Sequence, residues 1–136
     1  MALVYPFRAH RYDPGVVGDL DRVVAQPYDK TTPGMQDRYY QASPYNVVRI
    51  TLNLEKRGDP ETGYPDAGAT FRRWIGEGVL VEDSRPAFYP YYQEYTIDGQ
   101  TRLQRGFIAL LDLGRSQSAI IPHEHTLAAP QQDRLN

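Results

Sequence analysis

Two histidines and a glutamate near the C-terminal end of the sequence are its best candidates for chemistry. In the segment IIPHEHT, His123 and His125 would point to one side of an extended backbone and Glu124 to the other. The imidazoles could begin a metal site, but His10 is the only other histidine, far away in sequence. Alternatively, Glu124 could be a general base, since partial burial tunes a carboxyl pKa toward neutrality. Spacing alone favours a third interpretation, a polar strand end.

A second candidate is the segment QPYDKTTP, in which Tyr28 and Asp29 precede the start of a predicted helix. Thr32 can cap the first N–H groups of that helix, and Pro33 has the backbone angle that its first turn needs. Such a helix start can hold an anion, because free N–H groups and the helix dipole favour negative charge. The residues by themselves favour the simpler interpretation, an ordinary capped helix with Asp29 close to its start.

Two further features could bind ligands, and both have a simpler explanation. Arg134, in the DRL triplet, could donate two hydrogen bonds to a phosphate or carboxylate, although such an arginine is more often a surface charge. A cluster of tyrosines could stack nucleobases. The net charge of −2, however, favours packing within a hairpin over nucleic-acid binding. The cluster consists of Tyr89, Tyr91, Tyr92 and Tyr95.

The sequence predicts strands and helices in alternation, and these elements would position the candidate residues. Hydrophobic periodicity and turn residues predict each element in turn. The predicted elements are a strand or extended arm up to the turn at 13–15, a helix at 33–42, a half-buried strand at 46–54, an exposed loop at 55–68, a helix with Phe71, Trp74 and Ile75 on one stripe that ends at Gly76 or Gly78, and a short apolar strand before Pro122. The predicted fold class is therefore α+β, with a mixed or antiparallel sheet and two main helices.

A β-hairpin at 87–113 is the best-defined element. Asp98 and Gly99 lie between two β-rich runs, and this dipeptide favours the type I′ turn that two-residue hairpins use. If these residues form the turn, aromatic side chains face arginines and a glycine across the strands. The predicted pairs are Tyr95 with Arg102, Tyr92 with Arg105 and Tyr91 with Gly106.

Composition limits the possible functions. A length of 136 residues suits one domain over 1–136, and 40% hydrophobic residues suffice for a packed core. The absence of cysteine excludes disulfides, thiolate nucleophiles and cysteine-based zinc sites. No apolar run approaches the ~20 residues that span a bilayer, and the N-terminal segment lacks the pattern of a secretory signal. We therefore expect a cytoplasmic protein that binds neither membrane nor nucleic acid.

The order of short motifs resembles the N-terminal part of the bacterial family known as domain of unknown function 1015. The matching segments are PFRAHRYDP, VVAQPYD, SPYNVVRITL, WIGEGVL, YYQEYTIDGQTRLQRGFIA and IIPHEHTLAAPQQDRL, which together cover nearly the whole chain. Two departures occur: Gln26 stands where a proline is usual, and residues 128–131 replace a Gly-Pro-Lys-like run.

That family is distantly similar to the ParB/sulfiredoxin-like superfamily and, within it, to free-serine kinases. The resemblance implies the N-terminal part of a phosphotransferase that moves phosphate between serine or phosphoserine and an adenine nucleotide, ADP or ATP, with magnesium. It implies Glu124 as the base for the substrate hydroxyl and His123 beside it as a second catalytic residue. The expected substrate-binding residues are Thr126, Asp133, Arg134, Tyr28 and Asp29, and no resident metal site is expected.

The family's members carry a downstream DGHHRY-like motif that handles phosphate, and this sequence contains no such motif. Phosphoryl transfer depends on charge stabilisation around the transferring group. We therefore expect the isolated chain to be inactive, with no tightly bound nucleotide, either as a fragment of a longer protein or as one member of a homo-oligomer that completes the site. The alternative is a non-catalytic interaction or assembly domain whose strand edges pair with a partner.

Overall fold

The computed structural model describes residues 2–54 and 60–116. Its contacts group into two units, one formed by His10–Glu82 and the other by Met1–Ala9 with Asp83–Asn136. The described elements, in chain order, are β1 (Val4–Tyr5), β2 (His10–Tyr12), α1 (Pro14–Val17), a 3-10 helix (Leu20–Arg22), α2 (Pro33–Ala42), α3 (Val48–Thr51), α4 (Pro60–Gly76), β3 (Leu80–Glu82), β4 (Tyr89–Ile97), β5 (Gln100–Ile108), β6 (Leu110–Leu111) and α5 (Leu113–Ser116).

In the unit His10–Glu82, side-chain caps begin the early helices. The Asp13 carboxylate accepts a hydrogen bond from the amide of Gly15 at the start of α1. The Thr32 hydroxyl accepts one from the amide of Met35 at the start of α2, where Pro33 takes the first helical position. Both arrangements satisfy amides that have no partner inside the helix. The predicted helix at 33–42 is confirmed with its predicted cap.

The core of this unit is built around Trp74, which is 1% exposed. Val79 and Leu80 are buried with it, after α4 ends at Gly76 and Gly78 turns the chain with φ of +73°. The ring centroids of Tyr12 and Tyr45 each lie 6.0 Å from that of Trp74, so residues distant in sequence meet at this core. β2 and β3 pair antiparallel, so the first and last strands of the unit meet beside this core.

The strand predicted at 46–54 is wrong, because residues 48–51 form helix α3. The apolar alternation of this segment suits a strand, but the Asn46 side chain accepts a hydrogen bond from the Val48 amide and turns the backbone. The amide of Val47 is bonded to the Val23 carbonyl instead of to a neighbouring strand. Side-chain hydrogen bonding of this kind lets the local backbone override β-propensity.

The exposed loop predicted at 55–68 is wrong from residue 60 onward, where the chain is already in α4. Its glycines and prolines argue for a loop, yet Pro60 is compatible with the first helical turn. Pro65 lies inside the helix. The helix forms here despite its low intrinsic propensity. It contacts α3, and the side-chain Nδ2 of Asn53 donates a hydrogen bond of 3.3 Å to the Asp66 carboxylate on α4.

In the other unit, the predicted hairpin is confirmed with its register. Asp98 and Gly99 take positive φ values of +52° and +74° at the turn between β4 and β5. The pairs Tyr95–Arg102, Tyr92–Arg105 and Tyr91–Gly106 are all present. β1 pairs with β6, and Phe7 forms an isolated bridge with Ala87. Every strand pair in the described residues is antiparallel, and the predicted α+β class is confirmed.

Candidate functional site

The predicted site residues divide into two groups. His123, Glu124, Thr126, Asp133 and Arg134 lie outside the residues that the structure describes, and so does the short apolar strand predicted before Pro122. Tyr28 and Asp29 are described, and they lie in a turn between the 3-10 helix and α2. We call residues 26–31 the candidate loop.

Hydrogen bonds inside the candidate loop hold it in a turn. The Lys30 amide donates to the Pro27 carbonyl at 2.9 Å. The Thr31 hydroxyl lies 3.1 Å from the carbonyl oxygens of both Gln26 and Pro27. Tyr28 is half-buried, whereas Asp29 is exposed and presents its carboxylate to solvent. A turn that satisfies its own backbone can present such a carboxylate in a defined position.

A buried asparagine fixes the chain that leads into the candidate loop. Asn46 is 0% exposed, and its side-chain amide donates to the carbonyls of Arg22 at 2.9 Å and Val24 at 2.8 Å. Its carbonyl oxygen accepts from the Val48 amide at 3.0 Å. Its two polar side-chain atoms, Nδ2 and Oδ1, thus make three hydrogen bonds to backbone, which is how a polar side chain can be buried without a large penalty. We call this arrangement the Asn46 clamp.

The helix after the candidate loop provides a second attachment. The hydroxyl oxygen of Tyr39, on α2, accepts a hydrogen bond from the Gln26 amide at 3.3 Å. The loop is thus attached on one side through the Asn46 clamp and on the other through α2. Loops held by a rigid scaffold are the usual location of binding and catalytic side chains.

The start of α2 is capped mainly by its own residues. The amides of Met35 and Gln36 bond to the side chain and the carbonyl of Thr32, and Pro33 has no N–H. These partners occupy donors that an anion would need, and the exposed Asp29 adds negative charge nearby. The geometry therefore favours the capped-helix interpretation over an anion site at this helix start.

A small pocket of about 150 Å³ lies in the same unit. Arg22 is its charged residue, and the backbone of Arg22 is held by the Asn46 clamp. Ser43 contributes a hydroxyl whose oxygen accepts from the Tyr45 amide at 3.0 Å, so that its proton can be donated elsewhere. The lining combines apolar side chains with this arginine and this hydroxyl. The lining residues are Val16, Val17, Arg22, Ala42, Ser43, Pro44 and Tyr45.

Sequence reasoning missed the buried amides that support this unit. Besides Asn46, Gln36 and Asn53 are 1% and 2% exposed. The Gln36 side chain donates to the carbonyls of Leu52 and Asn53, which ties α2 to the end of α3. An asparagine two residues after a proline, as in SPYN, was the available signal for a local turn. No comparable signal marks Gln36.

One hydroxyl near the core has a shifted pKa. Burial raises the pKa of Tyr12 to about 12. Its hydroxyl donates to the Tyr45 carbonyl at 2.8 Å. Loss of the proton would place a charge beside Trp74 and remove that donor, so Tyr12 is a structural residue rather than a proton carrier at neutral pH.

The hairpin forms a different kind of surface. Large apolar side chains are exposed on both of its faces, with Tyr92 64% exposed on one face and Ile108 56% exposed on the other. Tyr89 is half-buried, lies 5.0 Å from the Phe7 ring, donates to Asp83 at 2.7 Å and accepts from the Ala9 amide at 2.8 Å. The predicted packing of the tyrosine cluster thus applies to Tyr89, whereas Tyr91, Tyr92 and Tyr95 are exposed.

Residues 2–54 and 60–116 contain neither a cluster of metal ligands nor a membrane-spanning helix. Within these ranges, no three histidine, aspartate or glutamate side chains lie close enough to hold a metal ion. Nor does any helix there combine the length and the apolar character that crossing a membrane requires.

Comparison with known proteins gives one match. The sequence profile of the family described as "Protein of unknown function (DUF1015)" matches residues 4–136. No curated protein and no solved structure matches the chain. The match covers the candidate loop, the hairpin and the segment that contains Glu124.

Proposed function

This chain belongs to the DUF1015 family, and on that premise we propose that it is the N-terminal part of a cytoplasmic, ParB/sulfiredoxin-like phosphotransferase that acts on serine or phosphoserine. The observation that carries the proposal is the candidate loop, which presents Asp29 from a turn attached through both Asn46 and Tyr39. Its Tyr-Asp pair belongs to one of the segments through which the sequence resembles the kinase-related family. A fixed carboxylate of this kind can accept hydrogen bonds from the ammonium or hydroxyl of a small amino acid.

The proposal assigns complementary roles to the remaining residues. Glu124 takes the proton of the serine hydroxyl when phosphate is added and returns it when phosphate leaves, with His123 beside it. Thr126, Asp133 and Arg134 bind substrate with the candidate loop, and the arginine pairs with phosphate or carboxylate charge. The pocket beside Arg22 offers a second positive group for such charge.

ADP or ATP with magnesium would supply the phosphate acceptor or donor. Magnesium in nucleotide sites commonly takes only one or two carboxylates from the protein, with phosphates and water as its other ligands. Among the described residues no three histidine, aspartate or glutamate side chains converge, and we assign no residue and no step to the metal.

The test measures ATP formed from phosphoserine and ADP, with the 136-residue chain and with the protein translated from the whole reading frame of its gene. Glu124→Gln should lower the rate about 100-fold or more, since general base catalysis contributes ~10²–10⁴. Asp29→Asn should weaken substrate binding. The control is Asp21→Asn, which removes an exposed carboxylate from the 3-10 helix of the same unit and should change neither the rate nor substrate binding. Activity retained in Glu124→Gln would refute the assigned base, and no ATP from any of these proteins would refute the reaction.

A second candidate function is favoured by the hairpin. Within the described residues the hairpin is a two-stranded sheet with apolar side chains exposed on both faces; such a sheet is marginally stable by itself, and such surfaces are typical of interaction sites. The chain would then act as a non-catalytic assembly domain. Light scattering coupled to size exclusion separates the candidates, because a monomer that turns over phosphoserine supports the enzyme and an inactive oligomer supports assembly.

A further inference from the structure

The outer edge of β4 is a nine-residue strand edge with little protection. Within the described residues, β4 and β5 form a sheet of two strands, so each has one edge that no other described strand covers. Natural proteins protect long edges with lysines, prolines, bulges or inward charges. β4 has a single charged residue, Glu94, and a single proline, Pro90, close to its first residue.

The register of the hairpin determines which backbone groups face that edge. Ile97 and Gln100 flank a two-residue turn, so they form a hydrogen-bonded pair, and such pairs alternate along an antiparallel ladder. The backbone groups of Tyr91, Gln93 and Tyr95 therefore face β5, whereas those of Tyr92, Glu94 and Thr96 face outward. Pro90 falls on an outward position, which agrees with its lack of an N–H.

The charges distinguish the two edges. β5 carries Arg102 and Arg105, so two β5 edges would bring four positive charges together. Two β4 edges bring together only two carboxylates, and the register decides whether they meet. If the strands are centred on Glu94, the two carboxylates lie directly opposite each other, which is destabilising. If they are centred on Gln93, each Glu94 lies opposite a tyrosine.

The centre on Gln93 is also the midpoint of β4, which runs from Tyr89 to Ile97. That register aligns all nine residues, and the ladder lacks only the N–H that a residue other than Pro90 would donate to Thr96 of the other copy. Tyr92 and Glu94 of each strand then form hydrogen-bonded pairs through their outward groups. Tyr91 lies opposite Tyr95 of the other copy, which is an aromatic pair of the kind that stabilises antiparallel strands. The strand is thus complementary to itself in one particular register.

We propose that β4 binds the β4 of a second copy of this chain, antiparallel and centred on Gln93, to form a four-stranded sheet with two-fold symmetry. The inference rests on the second candidate function and specifies its partner. An isologous contact of this kind closes on itself, whereas addition of β4 to the β5 of another copy would continue into open filaments.

The test uses the absence of cysteine from the chain. In the proposed dimer the two Gln93 residues form a non-hydrogen-bonded pair, with Cα atoms about 4.5 Å apart, within the ~4.4–6.8 Å that a disulfide spans. Gln93→Cys should give a covalent dimer in oxidised glutathione on a non-reducing gel. The matched control is Gln104→Cys. Gln104 is the cross-strand partner of Gln93 on the same hairpin, and both residues are exposed to solvent. This control should stay largely monomeric.

Charge repulsion at the same position provides a second test, which measures the dimer dissociation constant and needs no oxidation. Gln93→Lys places two like charges opposite each other at the two-fold axis and should raise the dimer dissociation constant about two- to fivefold. Gln104→Lys should leave it unchanged. Sedimentation or light scattering over a concentration series gives both values, and the wild-type chain should be dimeric.

Each contrary result has a distinct meaning. Equal cross-linking of the two cysteine variants, or a dimer that Gln93→Lys leaves intact, overturns the β4 contact while assembly through another surface survives. Filaments that sediment at low speed overturn it in favour of addition of β4 to β5. A wild-type monomer at every concentration overturns the inference, and phosphoserine turnover by that monomer would at the same time favour the enzymatic function.

Discussion

The two units of the chain use polar and apolar residues in opposite ways. In the unit His10–Glu82, three amide side chains are almost fully buried: those of Gln36 and Asn46 donate to backbone carbonyls, and that of Asn53 donates to the Asp66 carboxylate. In the hairpin, every residue from Pro90 to Ile108 is exposed, including the large apolar and aromatic side chains. The helical unit is thus stabilised by specific buried contacts. The hairpin is stabilised by local turn chemistry and cross-strand pairs, and no described residue buries its apolar surface.

The largest expected effect tests the core of the helical unit. Trp74→Ala should lower the free energy of unfolding by about 3–5 kcal/mol, because it removes a fully buried aromatic side chain and leaves a cavity. Phe107→Ala, in the exposed hairpin, should cost about 0.5 kcal/mol or less. Urea unfolding followed by circular dichroism compares the two, since Trp74 is the only tryptophan and fluorescence is lost in its variant. Similar costs would contradict the contrast between the units.

The second-largest loss of stability is expected when the Asn46 clamp is removed. Asn46→Ala removes three hydrogen bonds to buried or half-buried backbone and should cost about 2–3 kcal/mol. The same change should speed hydrogen exchange at the Lys30 amide, because the candidate loop loses one of its attachments. Gln41→Ala, at an exposed position on α2, is the control and should alter neither quantity. Unchanged exchange at Lys30 would mean that the loop is held without the clamp.

The hairpin turn should give a smaller effect. Gly99 has a φ of +74°, and a Cβ there costs about 1–2 kcal/mol in the left-handed region. Gly99→Ala should therefore weaken the β4–β5 pairing, seen as faster exchange of the hairpin amides, and should leave the helical unit unaffected. Gly106→Ala, on β5 with open space around its Cβ, should leave the pairing intact. Equal effects of the two substitutions would show that turn geometry does not control the hairpin.

The smallest expected effect concerns alkaline pH. The pKa of Tyr12 is raised by burial from 10.0 to about 12 in the folded chain. The folded state therefore holds this proton more tightly than the unfolded state, and the related stability is complete below pH 10 and lost as pH rises toward 12. Tyr12→Phe should have a flatter stability curve between pH 10 and 12 than the wild type. A parallel loss of stability in both proteins would assign the effect to other groups.

The sequence was sufficient where local chemistry decides the structure. Asp98-Gly99 fixes the turn type, and the register of all nine pairs in the hairpin follows from it. Thr32-Pro33 similarly marks the start of α2, because a cap and a proline act on their immediate neighbours. In both cases the decisive contacts join residues that are adjacent or nearly adjacent in sequence.

The sequence was insufficient where distant residues decide. Residues 46–54 alternate like a strand, but Asn46 bonds to the carbonyls of Arg22 and Val24, which no local pattern reveals. The helix that begins at Pro60 overrides a loop-like composition through tertiary contacts. For the candidate site, the Tyr28–Asp29 turn was predicted, whereas its attachment through Asn46 and Tyr39 was not. The roles of Glu124 and its neighbours stay predictions.

The pairing of β2 with β3 also determines the order in which the chain can fold. His10 lies opposite Glu82, so the two strands can pair only after the loop formed by all the residues between them has closed. Closing such a long loop carries an entropic cost that the hairpin, with its two-residue turn, avoids. Hairpins form in about 1–10 μs, whereas long-range pairings are slower. When the whole chain refolds from denaturant, the apolar hairpin is therefore expected to form before the helical unit, and it is the first folded surface that the refolding chain offers to a chaperone or to another copy of itself.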